Sequence, residues 1–374
     1  MKIGVPKEIK AYEYRVGLTP TSVRELIHHG HQVLIETSAG IGSGFSDEDY
    51  AHCGAEIMNT AQDVFAEAEM IVKVKEPQPS ETAMLRKDQI LFTYLHLAPD
   101  PIQATGLINS RCVAIAYETV TNAQGALPLL KPMSEVAGRM SIQVGISALE
   151  KQSGGSGVLI SGVPGVESGH VVVLGGGVVG TNALRMALGL EAQVTVIDQS
   201  LGRLEQLNSI FGGRLKTIYA TMEAIEHHVT QADLVIGAVL IPGAAAPRLV
   251  TRDMLSKMRP GSVLVDVAID QGGCFETSVP TTHDVPTYIV DGIVHYCVAN
   301  MPGGVPRTSA LALNNATLPF ILDIANRGYL QALLENPHLM NGLNVCQGAI
   351  TCEPVAKSLG LSYVDPYILL RDMM

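Results

Sequence analysis

Residues His170 to Asp198 constrain the fold of this chain more than any other stretch: HVVVLGGGVVGTNALRMALGLEAQVTVID. An apolar strand runs into Gly175-Gly176-Gly177-Val178-Val179-Gly180, then into a helix-forming segment, then into a second apolar strand ending at Asp198. In a chain with 37 glycines the Gly-x-Gly-x-x-Gly spacing alone is a weak signal, but strand, glycines, helix and acid in this order are specific. Gly175 permits a tight turn, Gly177 lets the backbone approach a pyrophosphate, and Gly180 lets helix and strand pack closely. With Val178 and Val179 between them, these are the predicted cofactor-binding positions, at a helix N-terminus whose positive end faces the phosphates. Asp198 stands where an acid accepts hydrogen bonds from the adenosine ribose and repels a 2′-phosphate, which favours NAD(H) over NADP(H). The competing reading is a purely structural βαβ turn, which strand, glycines, helix and acid in this order disfavour.

At 374 residues the chain exceeds one ordinary core, so two domains are expected. Charged residues make up only 16%, against about 25% in an average globular protein, which implies much buried surface, including surface between subunits. A net charge of −11 and the absence of any Lys/Arg run argue against nucleic acid as a partner. The N-terminus carries no signal-peptide core, and no apolar stretch approaches the ~20 residues that span a bilayer. A soluble, cytoplasmic protein without a membrane partner is expected. The six cysteines form no Cys-x-x-Cys pair, and no His/Asp/Glu cluster has metal spacing, so reduced thiols and no metal are expected.

Along the chain, short apolar runs alternate with amphipathic ones. Lys2 to Pro6, Gln32 to Glu36, Met70 to Lys75, Ile90 to His96 and Cys112 to Glu118 read as strands, with Thr21 to His29, Asp47 to His52, Thr60 to Ala66, Glu81 to Arg86 and Pro101 to Asn109 as helices between them. Such alternation predicts a parallel sheet with helical crossovers. A helix from Pro132 to Lys151 leads toward the nucleotide unit, with Ser134 in its first turn as a helix-start residue. After Asp198, strands at Leu215 to Ala220, Ala232 to Leu240 and Ser262 to Ile269 complete a doubly wound unit. Arg307 to Asn326 reads as a helix with a structural Asp323–Arg327 pair. The predicted class is α/β with two doubly wound domains: a Rossmann NAD-binding domain over 128–306, and a discontinuous substrate domain over 1–127 and 307–374.

Arg15, Lys75 and His96 each fall at or just beyond the C-terminal end of a predicted strand, the edge where open parallel sheets bind ligands. Taken singly, Arg15 reads as a solvated loop charge and His96 as a structural residue, while Lys75 needs solvent or an anion. Shared placement on one sheet edge points instead to a site for a small anion plus an acid/base. Arg203 reads either as a solvated helix position or as a neighbour of the adenosine, and Val239-Leu240 as a segment beneath the nicotinamide ribose. Asp270 follows the apolar run Val263 to Ile269, where an acid is costly unless paired, solvated or used. Asp266, further inside, suits a structural role.

With these residues placed, the chain resembles alanine dehydrogenase over essentially its whole length. The resemblance rests on Pro6-Lys7-Glu8, Glu13-Tyr14-Arg15-Val16, Leu18-Thr19-Pro20, Val74-Lys75-Glu76-Pro77, Tyr94-Leu95-His96, Pro132 to Gly138, Leu174 to Gly180, Asp266 to Gly273, and Asn300-Met301-Pro302-Gly303. It implies reversible oxidation of L-alanine with NAD⁺ and water to pyruvate, ammonium and NADH, in a cleft between two domains, within a homohexamer. On matching positions it implies Arg15, Lys75 and Asn300 as substrate-binding, His96 and Asp270 as catalytic, and Ser134, Asp198, Val267, Ile269, Asp270 and Met301 as cofactor contacts. Gly17 departs from the pattern, standing where the family has alanine. Two other functions fit parts of the pattern: the soluble component of a proton-translocating transhydrogenase, and a non-catalytic NAD(H)-binding protein. Neither gives a reason for the Arg15, Lys75 and His96 set.

Overall fold

Strand β1 (Lys2–Val5) is followed by β2 (Gln32–Glu36), β3 (Glu56–Met58), β4 (Met70–Val72), β5 (Ile90–Thr93) and β6 (Val113–Ala116). After a long helix, Lys131–Leu149, come β7 (His170–Leu174), β8 (Gln193–Asp198), β9 (Leu215–Tyr219), β10 (Leu234–Gly237), β11 (Val263–Asp266), β12 (Thr287–Val290) and β13 (Ile293–Tyr296). The chain closes with β14 (Leu343–Cys346) and β15 (Ala349–Ile350). This computed structural model describes residues 1–239 and 246–374, so Leu240 lies outside the described residues. Met1–Met133 and Val305–Met374 form one compact unit, Ser134–Gly304 the other.

In the first unit the strand order is β15-β14-β6-β5-β4-β1-β2-β3. All pairs from β6 to β3 are parallel. The chain winds outward from β1 through β2 to β3, then returns to the other side of β1 and continues through β4, β5 and β6. The winding therefore reverses between β1 and β4, and the carboxyl ends of the strands at such a reversal are where open parallel sheets bind ligands. β4, β5 and β6 are buried along their whole length, as apolar strands between covering helices must be. The second unit repeats the plan, with order β12-β13-β11-β10-β7-β8-β9 and its reversal between β7 and β10.

The two doubly wound α/β domains expected from the sequence are thus present, but the sheets are not purely parallel. β14 runs antiparallel to β6, β15 to β14, and β12 to β13. Both added hairpins turn on two residues of positive φ, Asp291-Gly292 (50° and 81°) and Gln347-Gly348 (51° and 83°). This is the turn whose twist matches paired strands, and Asp-Gly is its strongest local signal. Several strands read from the sequence end early, among them Ile90 to His96 at Thr93, Cys112 to Glu118 at Ala116 and Ala232 to Leu240 at Gly237. Met70 to Lys75 stops at Val72, and Ser262 to Ile269 stops at Asp266. The physical cause at the last is Asp266, whose carboxylate accepts the N–H groups of Ala268 (3.1 Å) and Cys274 (2.9 Å), drawing the chain into a turn. Asp270 consequently lies exposed in the 3-10 turn Ile269–Gln271 and not at a strand end. The helix predicted over Glu81 to Arg86 forms earlier, at Pro79–Thr82, with proline at its start.

Helix Pro306–Arg327 returns the chain to the first unit. Its buried Asn314 accepts the Thr19 N–H (2.8 Å) and donates to the Gly17 carbonyl (3.2 Å), fixing the loop after β1. A Cβ at Gly17 would overlap the carbonyl of Val72, so close packing of this loop on the end of β4 accounts for glycine where the family resemblance led us to expect alanine. Arg327 pairs with Asp323 at 2.6 Å, as read, and also with Glu335.

Candidate active site

Parallel register brings the chain segments after β1, β4, β5 and β6 to one edge of the first unit. Arg15, on the loop after β1, is 2% exposed and not a solvated loop charge. Its Nε and Nη2 each donate to a different oxygen of Glu13 at 2.6 Å, a two-point pair, and Nη1 lies 3.0 Å from the Met133 sulfur. Burial works against the guanidinium charge, but the bonds and charge of Glu13 outweigh it and raise the Arg15 pKa. The cation is therefore permanent, and its plane is set by Glu13.

Beyond β4, Lys73 is fully buried, with Nζ 2.9 Å from Glu8 and 2.8 Å from Glu81. Glu8 also accepts the backbone N–H groups of Val74 (2.6 Å) and Lys75 (3.3 Å). The bend that presents Lys75, itself half-buried, is thus pinned from beneath by a buried carboxylate. Beyond β5, the His96 side chain is 47% exposed and its ring stacks on Tyr94, with centroids 5.8 Å apart and planes within 4°. Tyr94 is buried, anchors its hydroxyl on the Leu129 carbonyl (2.6 Å), and lies close enough to feel the Arg15 charge. Beyond β6, Glu118 accepts the His96 N–H at 2.6 Å. Arg15, Lys75 and His96 therefore share the carboxyl edge of β1, β4 and β5, the first two flanking the winding reversal. Glu8, Glu13, Lys73, Tyr94 and Glu118, which sequence reasoning passed over, support them. Glu13 and Lys73 each stand two residues before the residue they support, a spacing visible in the sequence without its meaning.

In the second unit Gly175 has φ +96°, and a Cβ at Gly180 would overlap the Gly175 carbonyl, so both glycines are required by the turn itself. Gly177 precedes helix Val178–Gly189 without a capping side chain, and a Cβ there would meet no atom within 4 Å. The first N–H groups of that helix, those of Val178 and Val179 among them, have no partner within the helix and suit a phosphate. Asp198 accepts the Gly176 N–H (2.7 Å) on one oxygen and the Ser200 N–H (2.8 Å) on the other, which leaves lone pairs on both for ribose hydroxyls. Arg203 is half-buried on its helix, where Nε donates to the Gly176 carbonyl (2.7 Å) and Nη2 to Thr181 (2.6 Å), bracing the glycine turn. Val239 follows β10 at the winding reversal and is half-buried, as are Ser134 and Val267. Ile269 and Met301 are buried side chains, at 4% and 3% exposure. Asn300 has φ +65°, and its carbonyl accepts from His283 Nε2 at 3.1 Å.

Among the described residues no group of three His, Cys, Asp or Glu side chains is placed to hold a metal, and no helix is long and apolar enough to cross a membrane.

Residues 4–137 match the N-terminal domain family described as Alanine dehydrogenase/PNT, and residues 141–353 match its C-terminal domain family. The alanine dehydrogenase of Halomonas elongata is 58% identical over 370 residues, covering 99% of this chain and 100% of the relative. That of Bacillus subtilis is 56% identical, covering 100% and 98%. A solved L-alanine dehydrogenase structure superposes with a TM-score of 0.94 at 53% identity, covering 96% of this chain and 99% of the other. A transhydrogenase from Sinorhizobium meliloti superposes with a TM-score of 0.84 over 94% of this chain and 100% of the other; at 24% identity this similarity shows the fold alone. Both halves of the sequence, and both doubly wound units with their glycine turn and charged sheet edge, fall within one family: the chain belongs to the alanine dehydrogenase/PNT family.

Proposed function

We propose that this protein is an NAD-dependent L-alanine dehydrogenase, interconverting L-alanine with pyruvate and ammonium. The observation that carries the reading is the carboxyl edge of the first unit, at which a buried, permanently charged Arg15, Lys75 and a half-exposed His96 follow parallel strands. The identity of more than half the residues to full-length alanine dehydrogenases supports it, whereas the resemblance to transhydrogenase extends only to the fold. In this reading residues 1–127 and 307–374 carry the substrate and residues 128–306 the cofactor. NAD, when bound, supplies the hydride acceptor, and the glycine turn and Asp198 fit its pyrophosphate and ribose.

Arg15, its plane set by Glu13, binds the substrate carboxylate, and Lys75 polarises the keto oxygen. Together they orient the 2-oxo acid and lower the entropic barrier to reaction. His96 gives a proton to the departing hydroxyl when the carbinolamine loses water, and takes one from the alanine ammonium in the reverse direction. Asp270, exposed in its turn, favours the cationic iminium through its charge. Asn300 assists substrate binding. The cofactor is held by Ser134, Gly175, Gly177, Val178, Val179, Gly180, Asp198, Arg203, Val239, Leu240, Val267, Ile269, Asp270 and Met301. A cytoplasmic homohexamer is the setting we propose, on the family resemblance.

The direct test is NADH oxidation with pyruvate and ammonium, each omitted in turn. Activity that needs all three supports the reading; hydride transfer between nicotinamide nucleotides alone, or binding without turnover, replaces it. For Arg15 the informative variant is Arg15→Lys, because alanine would strand the buried Glu13. Loss of the two-point contact is expected to raise KM for pyruvate about 10- to 100-fold, the worth of one charge-assisted bond pair, while NADH affinity stays unchanged. A matching loss of NADH affinity would move Arg15 out of the substrate site.

A further inference from the structure

His96 occupies a left-handed backbone conformation, φ +48°, which is unfavourable for a non-glycine residue and persists only where its surroundings impose it. The peptide before it is clamped from two sides. Gln103 Nε2 donates to the Leu95 carbonyl at 2.9 Å. Glu118 accepts the Leu95 N–H on both oxygens at 3.2 Å and the His96 N–H on Oε1 at 2.6 Å. That same Oε1 lies 3.9 Å from His96 Nδ1. β5 and β6 pair in parallel with Thr93 opposite Ala116, so the two chain segments leave the sheet side by side and bring a residue 22 positions away against the imidazole.

Resting on the reading of His96 as the proton-transfer group, we propose that Glu118 is its positioning residue. Glu118 imposes the left-handed turn that lifts His96 from the sheet edge and pairs through Oε1 with Nδ1 when the imidazole is protonated, leaving Nε2 to exchange protons with substrate. No bond other than the N–H to proton-acceptor contact forms or breaks at Glu118. Among the described residues, Glu118, from the turn after β6, and Tyr94, from its own strand end, are titratable groups set against the ring. Burial raises the Tyr94 pKa well above its ordinary value, so the phenol stays neutral, and the carboxyl group beside Nδ1 is that of Glu118.

Glu118→Gln keeps the shape and one oxygen acceptor for the backbone but removes the charge. The His96 titration is followed by NMR on ring-labelled histidine, with its resonance identified by its loss in His96→Ala. In the Gln variant the His96 ring is expected to titrate at lower pH than in the wild type, as removal of a nearby opposite charge makes it, and kcat to fall about tenfold, with NADH affinity unchanged. Glu118→Asp, which keeps the charge but retracts it, is expected to fall between. An unchanged His96 titration in a folded Gln variant would leave Glu118 as a turn cap only and overturn the proposal. Should the Gln variant fail to fold, the Asp variant carries the same measurement, and an unchanged titration there overturns it equally. An active His96→Ala enzyme would instead remove the acid/base reading itself, a result distinguishable from an inactive His96→Ala beside an unaffected Glu118→Gln.

Discussion

Replacing His96 by alanine is expected to lower the rate of NADH oxidation with pyruvate and ammonium by about 10²- to 10⁴-fold, the range general acid–base catalysis contributes. NADH affinity should not change, because the fingerprint and Asp198 lie in the other unit. Nor should the fold suffer, since the ring is 47% exposed and contributes stacking on Tyr94, not core packing; a stability change within about 0.5 kcal/mol is expected of such a position. An intact fold with lost turnover is the signature sought, and steady-state assays from pH 6 to pH 10 alongside a thermal melt provide it. Near-wild-type turnover across that range would mean that another group moves the proton.

Replacing Lys73 by methionine should produce the opposite signature, a large loss of stability whose catalytic consequence is secondary. Lys73 is one fully buried cation serving two buried carboxylates, Glu8 and Glu81. Removing one partner of a buried pair leaves uncompensated charge and costs about 3–5 kcal/mol, a fall in Tm on the order of 10 °C. The pH dependence follows from the shifts on the two partners. Burial raises the Glu8 pKa above 4.5, Lys73 opposes this, and the Glu81 charge adds to it. A raised carboxyl pKa makes the group's relative contribution greatest at low pH, and that contribution falls as pH rises through the folded value. Lys73 is itself raised above 10.5, because the two carboxylates outweigh burial, so its contribution persists through neutrality and is lost only in strong alkali. Without Lys73 the Glu8 pKa should rise further. The defect should therefore be greatest at and above neutrality and shrink toward acid as Glu8 takes up its proton. Thermal melts of wild type and variant between pH 5 and pH 8 test this, and a defect that grew toward acid would contradict it. Because Glu8 also holds the Val74 and Lys75 amides, the surviving folded fraction should bind pyruvate more weakly.

The stretches whose local structure is legible in the sequence share one property: their information is local. The glycine turn, its helix and Asp198 lie within 29 consecutive residues, and every requirement on them is met by neighbours in the chain. The Asp291-Gly292 hairpin was equally local and was missed, because the strands on either side are only four residues long and one of them, β12, is partly solvated. Asp270 was misplaced for another reason. Nothing in Val263 to Ile269 announces that Asp266 will gather backbone N–H groups from residues ahead of it and end the strand there. The identities of Arg15, Lys75 and His96 were visible, but their states were not. An arginine in a loop of charged residues reads as solvated until Glu13 folds back on it.

The sequence by itself determined that this chain forms two doubly wound α/β units and that one of them carries a dinucleotide turn, because apolar periodicity and glycine geometry act over a few residues. Only the tertiary structure decided which side chains meet. Winding outward from β1 and then back past it places β4 beside β1, so residues some sixty positions apart, Glu8 and Lys73, become neighbours. The same parallel register sets Glu118 against His96. Strand order is a property of the whole sheet, chosen by the burial of every strand at once, and no short segment encodes it.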